Sequence, residues 1–165
     1  MRATRALLGV GLAVGCVLTL IALWPQAGFT QGDPFLGTWL LDIAKSRFLL
    51  GRQPPKEQTL TYEAAGQGVK ATAKGTDAAG QPTLTQYTAN YDGKDYPVTG
   101  NPDWNAISLT RVNSNTVQFI RKRDGKVVQR GDNVVSRDGK TRTITATGVN
   151  AQGQTINTVG IYNKK

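Results

Sequence analysis

From Asp33 onward, turn signals recur every 10 to 14 residues, a spacing that leaves room only for short strands joined by hairpins. Asp-Gly-Lys occurs three times, at 92–94, 124–126 and 138–140. Asp-Gly supplies the two successive positive φ angles that a two-residue hairpin needs. Ala-Ala-Gly-Gln stands at 64–67 and 78–81, Ala-Gln-Gly-Gln at 151–154, and Gly100 to Asp103 and Asn113 to Asn115 complete the set. Between these turns lie segments of strand length at 35–42, 57–63, 69–76, 83–91, 94–98, 106–112, 116–123, 126–135, 141–148 and 155–163. Seventeen threonines and ten valines over the same stretch favour the pleated conformation. Residues 43–50 are the one candidate for a short helix, ended by Pro54 and Pro55. The pattern predicts an all-β fold: a single antiparallel up-and-down barrel of eight to ten strands. Closure removes the edges that long Thr- and Val-rich strands would otherwise expose.

The first thirty residues read as an address. Arg2 and Arg5 precede a run from Ala6 to Trp24 that carries no charge. Such a run fits an export signal and is also about long enough to span a bilayer. No clean Ala-x-Ala follows it, so residues 1–30 are expected to be a signal peptide or an N-terminal membrane anchor, and both readings remain open. Positive charge on the N-terminal side places the domain at 33–165 outside the cytoplasm, periplasmic or secreted. Cys16 lies inside the apolar run, with apolar residues continuing after it, and reads as part of the leader. Beyond it the chain has no cysteine, so the exported domain must hold together without disulfides.

Histidine is absent from the whole sequence. That removes Ser-His-Asp and Cys-His triads, imidazole general bases and His-containing zinc sites. No P-loop, EF-hand or dinucleotide fingerprint is present, and the carboxylates fall mostly in turns. The expectation is a protein that is not an enzyme and uses no metal or cofactor.

Phe35-Leu36-Gly37-Thr38-Trp39 opens the first predicted strand. It resembles the Gly-x-Trp signature of lipocalins and the start of fatty-acid-binding proteins, both calycin barrels. In that setting the Trp plugs the barrel floor. Thr158 to Tyr162 looks like the terminal strand of the fatty-acid-binding proteins. In that family an Arg two residues before the Tyr grips the ligand carboxylate, whereas Gly160 stands here. Two longer stretches, Gly37 to Ser46 and Tyr91 to Pro102, resemble a group of exported bacterial lipocalin-like proteins. The resemblance implies a barrel and a compartment.

Strand periodicity nominates binding residues. Arg111 shares parity with Ile107 and Leu109, Arg121 and Arg123 with Val117 and Phe119, and Arg142 with Ile144 and Ala146. If the apolar face lines the barrel, these arginines point inward or at its mouth. A guanidinium in a low-dielectric cavity needs an anion or hydrogen-bonding partner. The competing reading is an Arg near a strand end whose head reaches water. Trp104, Phe119 and Tyr162 join the candidate lining, with Trp104 beside a loop at 97–103 that could form a portal.

After removal of the leader, 18 basic against 11 acidic residues leave a net charge of +7. No base-stacking aromatic pattern interleaves the charges of Arg121 to Arg130, so nucleic acid is not an expected partner. The expected function is binding of a small hydrophobic or amphiphilic, partly anionic ligand by a monomer. The alternative is an envelope interaction module with a filled barrel and a basic outer surface. The two differ in whether the inward positions leave a void.

Overall fold

Hairpin turns and inward-facing apolar residues wind the chain from Asp33 onward into a closed barrel. The computed structural model describes residues 32–49 and 53–165. The expected leader and Cys16 lie outside the described residues. Among the described residues eleven strands form, in the order β1 (Gly37–Leu41), β2 (Arg47–Leu49), β3 (Glu57–Ala65), β4 (Gly68–Thr76), β5 (Pro82–Asn90) and β6 (Asp92–Thr99). There follow β7 (Ala106–Asn113), β8 (Thr116–Arg123), β9 (Lys126–Val135), β10 (Thr141–Val149) and β11 (Thr155–Lys164). From β3 to β11 each strand pairs antiparallel with the next. β1 pairs with β3 on one side and β11 on the other, with Trp39 opposite both Leu60 and Lys164, and so closes the ring. Ten strands make the barrel, in the up-and-down antiparallel arrangement expected from the sequence.

The ten predicted strand segments coincide with the ten barrel strands to within two residues at every end. β2 is the eleventh. It pairs with β11 through Asn157, Thr158 and Val159, just past the stretch of β11 held by β1. β1 and β2 therefore run as one interrupted strand along the same edge.

At the interruption the candidate helix does not form. No helix occurs in the described residues of 43–50; Ile43 to Lys45 form a turn and β2 follows. Asp42 organises the turn: its carboxylate accepts from Lys45 N at 3.2 Å, and its carbonyl accepts from Ser46 Oγ at 2.7 Å. Ser46 Oγ in turn accepts from Ile161 N at 2.9 Å, tying the turn to β11. Local side-chain bonds of this kind compete with helical ones, and here they win.

Asp-Gly also behaves in two ways. At 124–125 it forms the expected hairpin, with φ of 51° at Asp124 and 77° at Gly125. At 92–93 it does not make the turn. It lies inside β6, where the register against β7 shifts between Asp92 and Asp95. The Asp92 carboxylate accepts from Lys94 N at 3.0 Å and from Tyr96 Oη at 2.9 Å, so its own side chain holds the bulge.

One end of the barrel is plugged by the chain that leads into β1. Phe35 and Trp39 are fully buried there, and Trp39 Nε1 donates to the Phe35 carbonyl at 3.1 Å. Lys164 Nζ sits 5.0 Å from the Trp39 ring centre. Leu60, Val69, Ile107, Leu109 and Val117 belong to the same buried apolar cluster as this floor.

Candidate ligand-binding cavity

Above the floor the inward positions leave a cavity of about 120 Å³. It lies toward the end of the barrel carrying β2 and the loop at 100–105. Phe48 on β2, Pro55, Thr85 and Asn101 line its outer part, and Ala73, Ala146 and Gly160 give it room. Five of its lining residues are aromatic: Phe48, Tyr62, Tyr87, Trp104 and Tyr162.

Arg121 is the one charged residue in the described lining, and no Asp or Glu lines it. β8 delivers it inward, as its parity with Val117 and Phe119 requires. Its guanidinium lies between two rings, 4.6 Å from the Trp104 centre and 4.3 Å from that of Phe119. Its Nη1 donates to Gln129 Oε1 at 2.9 Å. Gln129 is buried and faces Arg121 in the regular register that runs from the Thr116–Val134 pair; the bulge follows at Val128, since the next residue, Lys122, faces Val127.

The tyrosines supply hydroxyls. Tyr62 Oη and Tyr87 Oη are 3.2 Å apart, and Tyr162 Oη donates to Gln58 Oε1 at 2.6 Å. Burial, and then the neighbouring Tyr62, push the Tyr87 phenol well above its ordinary value of 10.0. Burial, and then Asp33, do the same for Tyr91. These phenols are held protonated in the fold, while in the unfolded chain they ionise from about pH 10. Their contribution to stability is therefore complete below pH 10 and is lost as the pH climbs past it. An alkaline titration followed at 295 nm should show Tyr87 and Tyr91 ionising only together with unfolding; their ionisation in the intact fold would contradict this placement.

The other predicted site residues separate. Trp104 and Tyr162 line the cavity, and Phe119 packs behind Arg121. Arg142 lies below the cavity and is fully buried. Its guanidinium carbon is 3.7 Å from the centre of the Tyr62 ring and 5.5 Å from those of Phe35 and Trp39. Its Nε donates to Asn133 Oδ1 at 2.8 Å, while Nη1 and Nη2 have no hydrogen-bond partner among the described residues. Arg111 belongs to the plugged end, where its Nη2 meets the buried Asp33 carboxylate at 2.5 Å and its guanidinium covers Tyr91 at 4.1 Å. Arg123, half-exposed at the end of β8, donates to the Pro102 carbonyl. Shared parity thus sends Arg121 into the cavity and Arg142 beneath it, and strand ends take the other two.

Gln58, Gln129 and Asn133 were not singled out from the sequence. Asn133 and Gln129 share parity with Val135, which marks them as inward, but a buried amide has no signature of its own. Among the described residues no group of three Cys, Asp or Glu side chains is placed to hold a metal ion.

No protein-family model matches this chain, and no curated protein does either. Among solved structures, the chain is similar to zebrafish ileal bile acid-binding protein complexed with cholic acid. The identity is 12% and the TM-score 0.47, and the match covers 80% of this chain and 99% of that one.

Proposed function

We propose that this protein is a non-catalytic, extracytoplasmic binding protein for a small, partly apolar, anionic ligand. The observation that carries the reading is Arg121, a guanidinium set in the wall of an aromatic cavity whose lining has no acidic residue. Gln129, Trp104 and Phe119, which brace it, are neutral. With Arg142 below, the barrel interior is biased toward negative charge in whatever fills it. A carboxylate is the group whose geometry matches a guanidinium edge. The extracytoplasmic placement is supported by the charged, then apolar, leader of the sequence and by the absence of cysteine after residue 16. No histidine is available as a general base at neutral pH, which supports the non-catalytic reading.

Variants test it. A charge-assisted hydrogen bond to a head group is worth ~1.5–3 kcal/mol, so its loss weakens binding about tenfold or more. Arg121→Gln should do this for a small acid such as benzoate or hexanoate. Arg137→Gln, exposed in the β9–β10 turn, should not. Equal losses for both, measured by calorimetry, would count against the site. One observation favours the second reading, a filled barrel whose basic exterior meets an acidic partner: about 120 Å³ is little room. In that case no small acid raises the melting temperature.

A further inference from the structure

We propose that the cavity selects a single-ring aromatic acid carrying a ring hydroxyl, the hydroxybenzoate class, over alkyl and polycyclic acids. This rests on the reading of Arg121 as an anion site and names the ligand class for it. Size comes first. An apolar cavity of roughly 150 Å³ holds one benzene molecule. At about 120 Å³ this cavity is smaller than that but of the same order, which limits a guest to one ring and leaves no space for four fused rings.

Shape follows. The walls present rings from separate strands, with Tyr62 on β3, Tyr87 on β5, Trp104 before β7 and Tyr162 on β11. Tyr87 and Trp104 already meet edge to face, with centres 6.5 Å apart at 61°. A flat guest extends such packing, since aromatic pairs favour edge-to-face and offset contacts. An alkyl chain makes poorer use of the same surfaces.

Polarity completes the argument. The paired hydroxyls of Tyr62 and Tyr87 stand in the wall, and a single hydrogen bond joins them. Each phenol has one donor and two acceptor positions, so the pair keeps one O–H and further lone pairs for a guest. Tyr62, Tyr87 and Arg121 all line the same cavity, so the two polar features belong to one compartment. A ring acid whose carboxylate meets Arg121 can direct a hydroxyl at the tyrosine pair. A methylene chain would cover those hydroxyls and pair with none, which is how a polar site rejects a guest lacking the matching group.

The test is calorimetric titration of the protein with 4-hydroxybenzoate, benzoate, octanoate and cholate. The expected order is 4-hydroxybenzoate tightest, about tenfold over benzoate as for one buried hydrogen bond, then octanoate, with no binding of cholate. Tyr87→Phe should erase the difference between the two benzoates, and Tyr62→Phe supplies the same reading if Tyr87→Phe does not fold. Octanoate or cholate binding most tightly would overturn the ligand class and leave the Arg121 anion site standing. Equal affinity of the two benzoates in the parent protein would overturn the role of the hydroxyl pair. Binding of none of the four acids would overturn the anion site itself.

Discussion

Trp39→Ala should be the most destabilising aromatic substitution in the barrel, lowering stability by ~3–5 kcal/mol. The ring is fully buried, and it stands where β1 meets both β3 and β11 to close the ring of strands. Truncation removes the apolar area, opens a hole under the cavity, and leaves the Phe35 carbonyl without the indole donor at 3.1 Å. Phe35 and the Arg142 guanidinium both rest near this ring, so the void has few neighbours free to collapse into it. The measurement is a urea unfolding curve. A midpoint equal to that of the parent would show that Trp39 is not the plug.

Gly131→Ala should rank next. Gly131 lies on β9 opposite Phe119 on β8 and Ala146 on β10, where two strands crowd the backbone. A Cβ there would overlap the Thr145 carbonyl oxygen and come within 2.6 Å of Phe119 Cζ. Overpacking costs ~1–3 kcal/mol where side chains can shift. Here one of the obstacles is backbone in a hydrogen-bonded ladder, so the cost should reach the top of that range. The displaced Phe119 ring also stacks on Arg121, so the variant should lose affinity for small acids together with stability. Unchanged stability would show that the β8–β9–β10 wall yields more readily than its pairing implies.

The strands were legible because their signals are local. Threonine and valine between Asp-Gly and Gly-Gln turns mark where a hairpin begins and ends, and closure follows from the number of strands. The miss at 43–50 came from a competition that composition does not display. Ser46 bonds both to Asp42 and across to Ile161, and the second partner is more than a hundred residues away. Asp92-Gly93 has the same letters as Asp124-Gly125, yet Tyr96 and the β6–β7 register make it a bulge. The site was half legible. Parity placed Arg121 and Arg142 inside, since alternation is a property of one strand. Arg111 and Arg123 escaped it because their surroundings are set by other segments: the Asp33 carboxylate from before β1, and the Pro102 carbonyl from the loop before β7. Gln129 shares parity with Val135 and so reads as inward, but a buried amide carries no signature that sets it apart as a partner of Arg121.

The central claim is that a cation in the cavity wall recognises an acidic head group, and paired titration calorimetry with benzoate and benzyl alcohol tests it most directly. The two guests share a ring of the size the cavity admits and differ in the charge offered to Arg121. Benzoate should bind one to one and at least about tenfold more tightly than the alcohol, as one charge-assisted hydrogen bond requires. Equal affinities, or heat from neither, would contradict the claim.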